Sequence, residues 1–172
     1  VGLSVIADLR RRGVERVVAA DFSEKRRELA SEVGATIVVD PREVAAVDAW
    51  RAEVGATAGA LDAPPALMFE CVGVPGMIQG MIDAVPRYSQ VVVVGVCMQE
   101  DVIRPLSAIG KQVNLQFVLG YTPEEFAATL SSIALEELDV GPLITSRVTL
   151  DEVPEAFRTL ASPDGQAKIL VV

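Results

Sequence analysis

Asp21 closes a short Val-rich run, Arg16 to Ala20, and stands roughly twenty residues beyond Gly2. Between them lies a helical stripe of Leu3, Ile6 and Leu9, with Val5 alongside. A carboxylate at the end of a second strand, that far beyond a glycine turn, is where a dinucleotide-binding βαβ unit accepts hydrogen bonds from the adenosine ribose. The same acid also fits an N-cap for the next helix. Arg26, one turn into that helix, is placed either beside the ribose or on a solvated helix face, and Phe22 either flanks an adenine or makes a small core contact. Gly2 fits the end of the Gly-rich turn that lets pyrophosphate approach backbone N–H groups at a helix N-terminus. On this reading the unit's first strand and first glycines lie upstream of Val1, and strands on either side of that central strand would lack their shared neighbour.

Two further triplets, Cys71-Val72-Gly73 and Gly95-Val96-Cys97, each follow an apolar run. In an open parallel sheet, ligands bind in the crevice outside the carboxyl ends of the strands, and glycines there permit close approach or simply make turns. Lys168, near the C-terminus, is placed to reach a phosphate or to end a strand in solvent. Arg10, Arg11 and Arg12 close the first helix and complement its dipole. The chain contains no His and two Cys, so it lacks the commonest general base and the donors for a tetrahedral zinc site.

The elements that position these residues alternate. Strands are expected at Arg16 to Ala20, Thr36 to Val39, Ala66 to Glu70, Val91 to Val96 and Val113 to Leu119. The run VVVVGV shows no apolar/polar alternation, as in a parallel strand buried on both faces. Helices are expected from Ser23 to near Gly34, Pro41 to Ala52 and Pro75 to Ala84. Two capping boxes, Thr122 with Glu125 and Thr149 with Glu152, open two more. Phe126, Leu130 and Ile133 form the expected buried stripe of one; Leu150, Val153, Phe157 and Leu160 fall at helical spacing in the other. The apolar run Ile169 to Val172 closes the chain, and the Ala-rich stretch Gly55 to Pro65 reads as a surface connection. Strand and helix in this order predict an α/β fold, a Rossmann-type doubly wound parallel sheet lacking its first strand, with residues 1–172 as one partial domain.

At 172 residues and 51% hydrophobic, the sequence can bury a sizeable core. Its net charge of -9 supplies no footprint for nucleic acid or an anionic membrane, and small or neutral partners fit better. No apolar run approaches the roughly 20 residues that span a bilayer. The sparse cysteines argue for a reduced, cytoplasmic setting.

Taken in order, VGLSVIADLRRRGVERVVAADFSEKRRELASEVGATIVVDP, FECVGVPG, VVVVGVC, LQFVLGYTPEEF and LITSRVTLDEVPEAF resemble the C-terminal cofactor domain of medium-chain, zinc-type alcohol and polyol dehydrogenases. The resemblance runs from Val1 to Val172. It implies NAD as cofactor, with the ribose on Asp21 and Arg26 and the nicotinamide amide on backbone groups at Gly73, Gly95, Val96, Val118 and Leu119. It further implies a small alcohol or polyol substrate and a homodimer or homotetramer, for which the strand Val113 to Leu119 is a candidate edge. The family's zinc ligands and proton relay belong to an N-terminal catalytic domain absent from this sequence. No catalytic residue or metal ligand is therefore assigned, and the 172 residues alone are expected to be inactive. A zinc-independent quinone or enoyl reductase would share the fold, but NADPH is more usual there and Asp21 would be unexpected. A non-catalytic nucleotide-binding module is a third reading. Methyltransferases also place an acid after a second strand, without the ordered segments quoted above.

Overall fold

A computed structural model describes residues 1–57, 63–161 and 165–172. The elements follow in the order α1 (Gly2–Arg11), β1 (Val18–Ala20), α2 (Glu24–Glu32), β2 (Ile37–Val39), α3 (Ala46–Glu53), β3 (Leu67–Glu70), α4 (Met77–Ala84), β4 (Gln90–Val93), α5 (Pro105–Lys111), β5 (Asn114–Phe117), α6 (Pro123–Ala134), β6 (Ile144–Val148), α7 (Val153–Ala161) and β7 (Lys168–Val171). The expected connection from Gly55 to Pro65 lies outside the described residues over 58–62. Among the described residues all strand pairing is parallel, in three separate sheets: β1–β2, β3–β4–β5 and β6–β7. The expected first strand has no counterpart among the described residues.

The chain divides into two compact units, one formed by Val1–Gly2 with Val47–Tyr121, the other by Leu3–Ala46 with Thr122–Val172. In the first, β4 is the middle strand, with Glu70 opposite Val93 and Val93 opposite Phe117. Ile78, Ile82 and Val85 of the α4 region pack on Val91 and Val93, with Met68, Leu115 and Ala108 around them. This core sets β3 and β4 in register and so fixes where their carboxyl ends fall. In the second unit, Ile6, Val17 and Ala30 form the core with Leu3, Leu9 and Val38, so the α1 stripe expected from the sequence packs inward.

Four expectations need correction. The strand expected over Val91 to Val96 leaves its ladder after Val93: the Val94 N–H still meets the Glu70 carbonyl at 2.8 Å, but the Gly95 N–H turns to the same carbonyl at 2.9 Å. Nor is it buried on both faces, since Val91 and Val93 are buried while Gln90 and Val92 are intermediate and Val96 is exposed. The helix expected from Pro41 begins at Ala46. Asp40 captures the intervening backbone, its carboxylate taking the Arg42 N–H at 2.9 Å and its carbonyl those of Glu43 and Val44. Phe126 and Leu130 do not form a buried stripe: each is 57% exposed, although the Thr122 capping box forms as expected. The box fixes where α6 starts, not what covers it. The Thr149 box opens a short 3-10 turn, Leu150–Glu152, ahead of α7, and Leu150 and Phe157 are exposed.

Candidate functional site

In the unit that contains β3 and β4, the two strand ends are joined through Glu70. This carboxylate is 1% exposed, and its Oε1 accepts the N–H groups of Val72 and Gly73 at 2.6 and 2.8 Å. Gly73 adopts φ +74°, and a Cβ there would lie 2.7 Å from the Val96 backbone. A Cβ on Gly95 would lie 2.4 Å from the Gly73 nitrogen and 2.5 Å from Glu70 Oε2. Both positions therefore require glycine for close approach, beyond ordinary turn making. Val72 and Val96 flank the pair and are exposed. After β5, the Val118 N–H donates to the Val93 carbonyl at 3.1 Å, while Leu119 is 90% exposed. Gly2 is placed in this unit too: a Cβ on it would meet Cys71 Cβ at 3.6 Å, an ordinary contact.

Burial pushes the Cys71 thiol above its usual range, with Glu70 adding to the rise and the chain's N-terminal charge opposing it. The Cys97 sulfur reaches the Gln99 carbonyl at 3.5 Å. Both thiols are free. No group of three His, Cys, Asp or Glu side chains among the described residues is placed to hold a metal ion. The described residues thus do not fit a zinc site.

In the unit that contains β1 and β2, Asp21 and Asp40 stand just beyond neighbouring strand ends, where Ala20 pairs with Val39. Ser23, not Asp21, caps α2, accepting the Arg26 N–H at 3.3 Å. Asp21 instead uses Oδ1 to accept the Ser23 N–H at 2.9 Å. Its Oδ2 faces Arg26 Nη1 at 3.9 Å, a pair loose enough to leave hydrogen-bonding capacity for a ligand hydroxyl. Asp40 is bound far more tightly. Arg42 Nη2 meets its Oδ2 at 2.5 Å and Arg27 Nη1 the same oxygen at 3.1 Å. The Arg42 hydrogen bond, foremost, holds the Asp40 carboxyl down at about 2. Arg42 also donates to the Phe22 carbonyl at 2.7 Å, with its guanidinium 5.6 Å from the Phe22 ring centroid. Phe22 is 63% exposed, so it is no core contact.

The structure thus gathers Asp21, Phe22 and Arg26 in one unit and Gly2, Val72, Gly73, Gly95 and Val96 in the other. Lys168 opens β7, is exposed, and shares no hydrogen bond or ion pair with the Asp21 cluster among the described residues; its backbone pairs with the Thr145 hydroxyl. Sequence reasoning missed Glu70, Arg27, Asp40 and Arg42. Glu70 carried a usable signal, being an acid that ends an apolar run just before a glycine turn. Neither group of residues supplies a general base beside a nucleophile; what they supply is exposed backbone at strand ends and an acid with spare acceptor capacity, which is binding chemistry.

Residues 1–135 match the family described as zinc-binding dehydrogenase. The chain is 31% identical to (R,R)-butanediol dehydrogenase of Bacillus subtilis (strain 168), over 99% of this chain and 47% of that protein. The solved structure of 2R,3R-butanediol dehydrogenase from Bacillus subtilis superposes with a TM-score of 0.81 at 28% identity, covering 99% of this chain and 47% of that one. Sorbitol dehydrogenase of Macaca fascicularis is 30% identical over 86% of this chain and 40% of that protein. A zinc-binding dehydrogenase from Sinorhizobium meliloti 1021, solved bound to NADP, superposes with a TM-score of 0.80 at 25% identity, covering 99% of this chain and 49% of that one. The chain spans about half the length of the curated relatives it matches.

Proposed function

Because the chain belongs to the zinc-binding dehydrogenase family, we propose that residues 1–172 are the NAD-binding domain of an enzyme that transfers hydride between an alcohol or polyol and NAD. The observation that carries the choice of NAD is the state of Asp21: capping of α2 is done by Ser23, and one Asp21 oxygen is held only loosely by Arg26. Asp21 accepts from the adenosine ribose hydroxyls, with Arg26 beside it and Phe22 against the adenine. Gly2 lies by the pyrophosphate, and Lys168 reaches a phosphate. Backbone groups at Val72, Gly73, Gly95, Val96, Val118 and Leu119 orient the nicotinamide amide. When bound, the cofactor supplies the hydride acceptor. Alcohol activation belongs to residues outside this chain, whose own residues do not fit a zinc ion. The intact protein is placed in the cytoplasm as a homodimer or homotetramer.

One structural relative was solved with NADP, so cofactor choice is the sharpest question. A ribose 2′-phosphate near Asp21 would bring like charges to about 4 Å, costing roughly 4 kcal/mol at an effective dielectric near 20. The Asp21 side chain is 38% exposed, so screening removes much of this. Even about 1.4 kcal/mol is tenfold. The test is kcat/KM for NAD and NADP with alcohol and polyol substrates, in the intact wild-type protein and in Asp21→Ala. The wild type is expected to prefer NAD, and the variant to narrow that preference by about tenfold or reverse it. An unchanged ratio, or a wild-type preference for NADP, would contradict the reading.

A further inference from the structure

We propose that Glu70 is a positioning residue for the nicotinamide end of the cofactor, an inference that rests on the cofactor reading above. Its side chain holds the turn after β3 through the Val72 and Gly73 N–H groups, while its main-chain carbonyl holds the departure from β4 through the Val94 and Gly95 N–H groups. One residue therefore ties together both turns whose backbone faces the ligand. The space between them is closed, since a Cβ on Gly95 would strike the Gly73 nitrogen at 2.4 Å and one on Gly73 would strike Val96 at 2.7 Å. With no side chain able to wedge the turns apart, their spacing is set by backbone contact and their orientation by the buried carboxylate. That carboxylate does not reach the ligand itself, being 1% exposed. Its work is to fix N–H and C=O directions before the ligand arrives, so that little ordering remains when it binds.

An amide oxygen can accept the same two N–H groups, whereas an apolar side chain of similar size leaves both without an acceptor. The contrast is read by titrating the intact protein, as wild type, Glu70→Gln and Glu70→Leu, with NADH and separately with AMP, which lacks the nicotinamide end. Glu70→Gln is expected to bind NADH within about threefold of wild type, and Glu70→Leu at least about tenfold more weakly, with AMP affinity held within about twofold throughout. Equal NADH binding by wild type and Glu70→Leu overturns the inference. So does a parallel loss of NADH and AMP, which marks a merely structural role, or a loss in Glu70→Gln as large as in Glu70→Leu. If Glu70→Leu does not fold, Glu70→Asp, which keeps the charge and shortens its reach, is expected to show the same selective loss of NADH. A wild-type protein that binds no NADH overturns the cofactor reading and this inference together, whereas the other outcomes strike the inference alone.

Discussion

Asp21 and Asp40 end neighbouring strands, yet arginine treats them differently. Asp40 carries two guanidinium contacts, from Arg42 and Arg27, and serves as an anchor. Asp21 meets Arg26 at 3.9 Å and spends its other oxygen on the Ser23 N–H. The tight partner thus takes up Arg27 and Arg42, while Asp21 keeps one oxygen only loosely engaged. The anchor has a pH signature. Its folded value lies at about 2 against an ordinary 3.8. A depressed folded value gives stability that is present above the unfolded value and lost as pH falls through the folded one. Denaturation midpoints of wild type and Asp40→Asn are therefore expected to differ at neutral pH and to converge as pH falls from about 4 to about 2. A gap that stays constant across that range would show that the Arg42 pair contributes nothing. The place of Asp21 just beyond a strand was legible in the sequence because it ends an apolar run. Asp40 was not, because Pro41 reads as the first residue of a helix until the Asp40 side chain is seen to capture the Arg42 N–H.

At the scale of elements, α4 shows what holds the β3–β4 platform. Its last carbonyls are met by two cations from other elements of the same unit. Lys111 Nζ donates to Ile82, Asp83 and Val85 at 3.1, 2.6 and 2.9 Å. Arg51 Nη2 donates to Ala84 at 2.6 Å. These are the orphan acceptors of a helix C-terminus, where positive charge also opposes the macrodipole. Burial pushes the Lys111 amine below its usual range, against the pull of Asp83. Lys111→Met is expected to lower stability by about 1–3 kcal/mol, shifting the denaturant midpoint without changing the slope. No shift would mean that water replaces the ammonium at no cost. Elements with local signals were legible: Ser23 and Thr122 cap helices, and three of the four β4 residues, Val91 to Val93, belong to the run of valines. Two were missed. The α5 sequence PLSAIGK is short and fully buries no residue, and β6, ITSRV, is too polar to announce a strand until β7 pairs with it. The α6 stripe is exposed at Phe126 and Leu130 because burial is decided by distant residues, which its local signals do not report.

For the molecule as a whole, a net charge of -9 means that no general field draws an anionic dinucleotide in. Under the proposed function, affinity has to come from oriented backbone groups at strand ends and from local arginines near Asp21. No helix among the described residues is long and apolar enough to cross a membrane. The central claim, that this chain is the NAD-binding part of a zinc-binding dehydrogenase, is tested most directly by titrating the intact protein with NADH and with NADPH and following bound-cofactor fluorescence. Saturable binding of NADH at one site per chain is expected, with NADPH at least about tenfold weaker. Absence of saturable NADH binding, or tighter binding of NADPH, would contradict it.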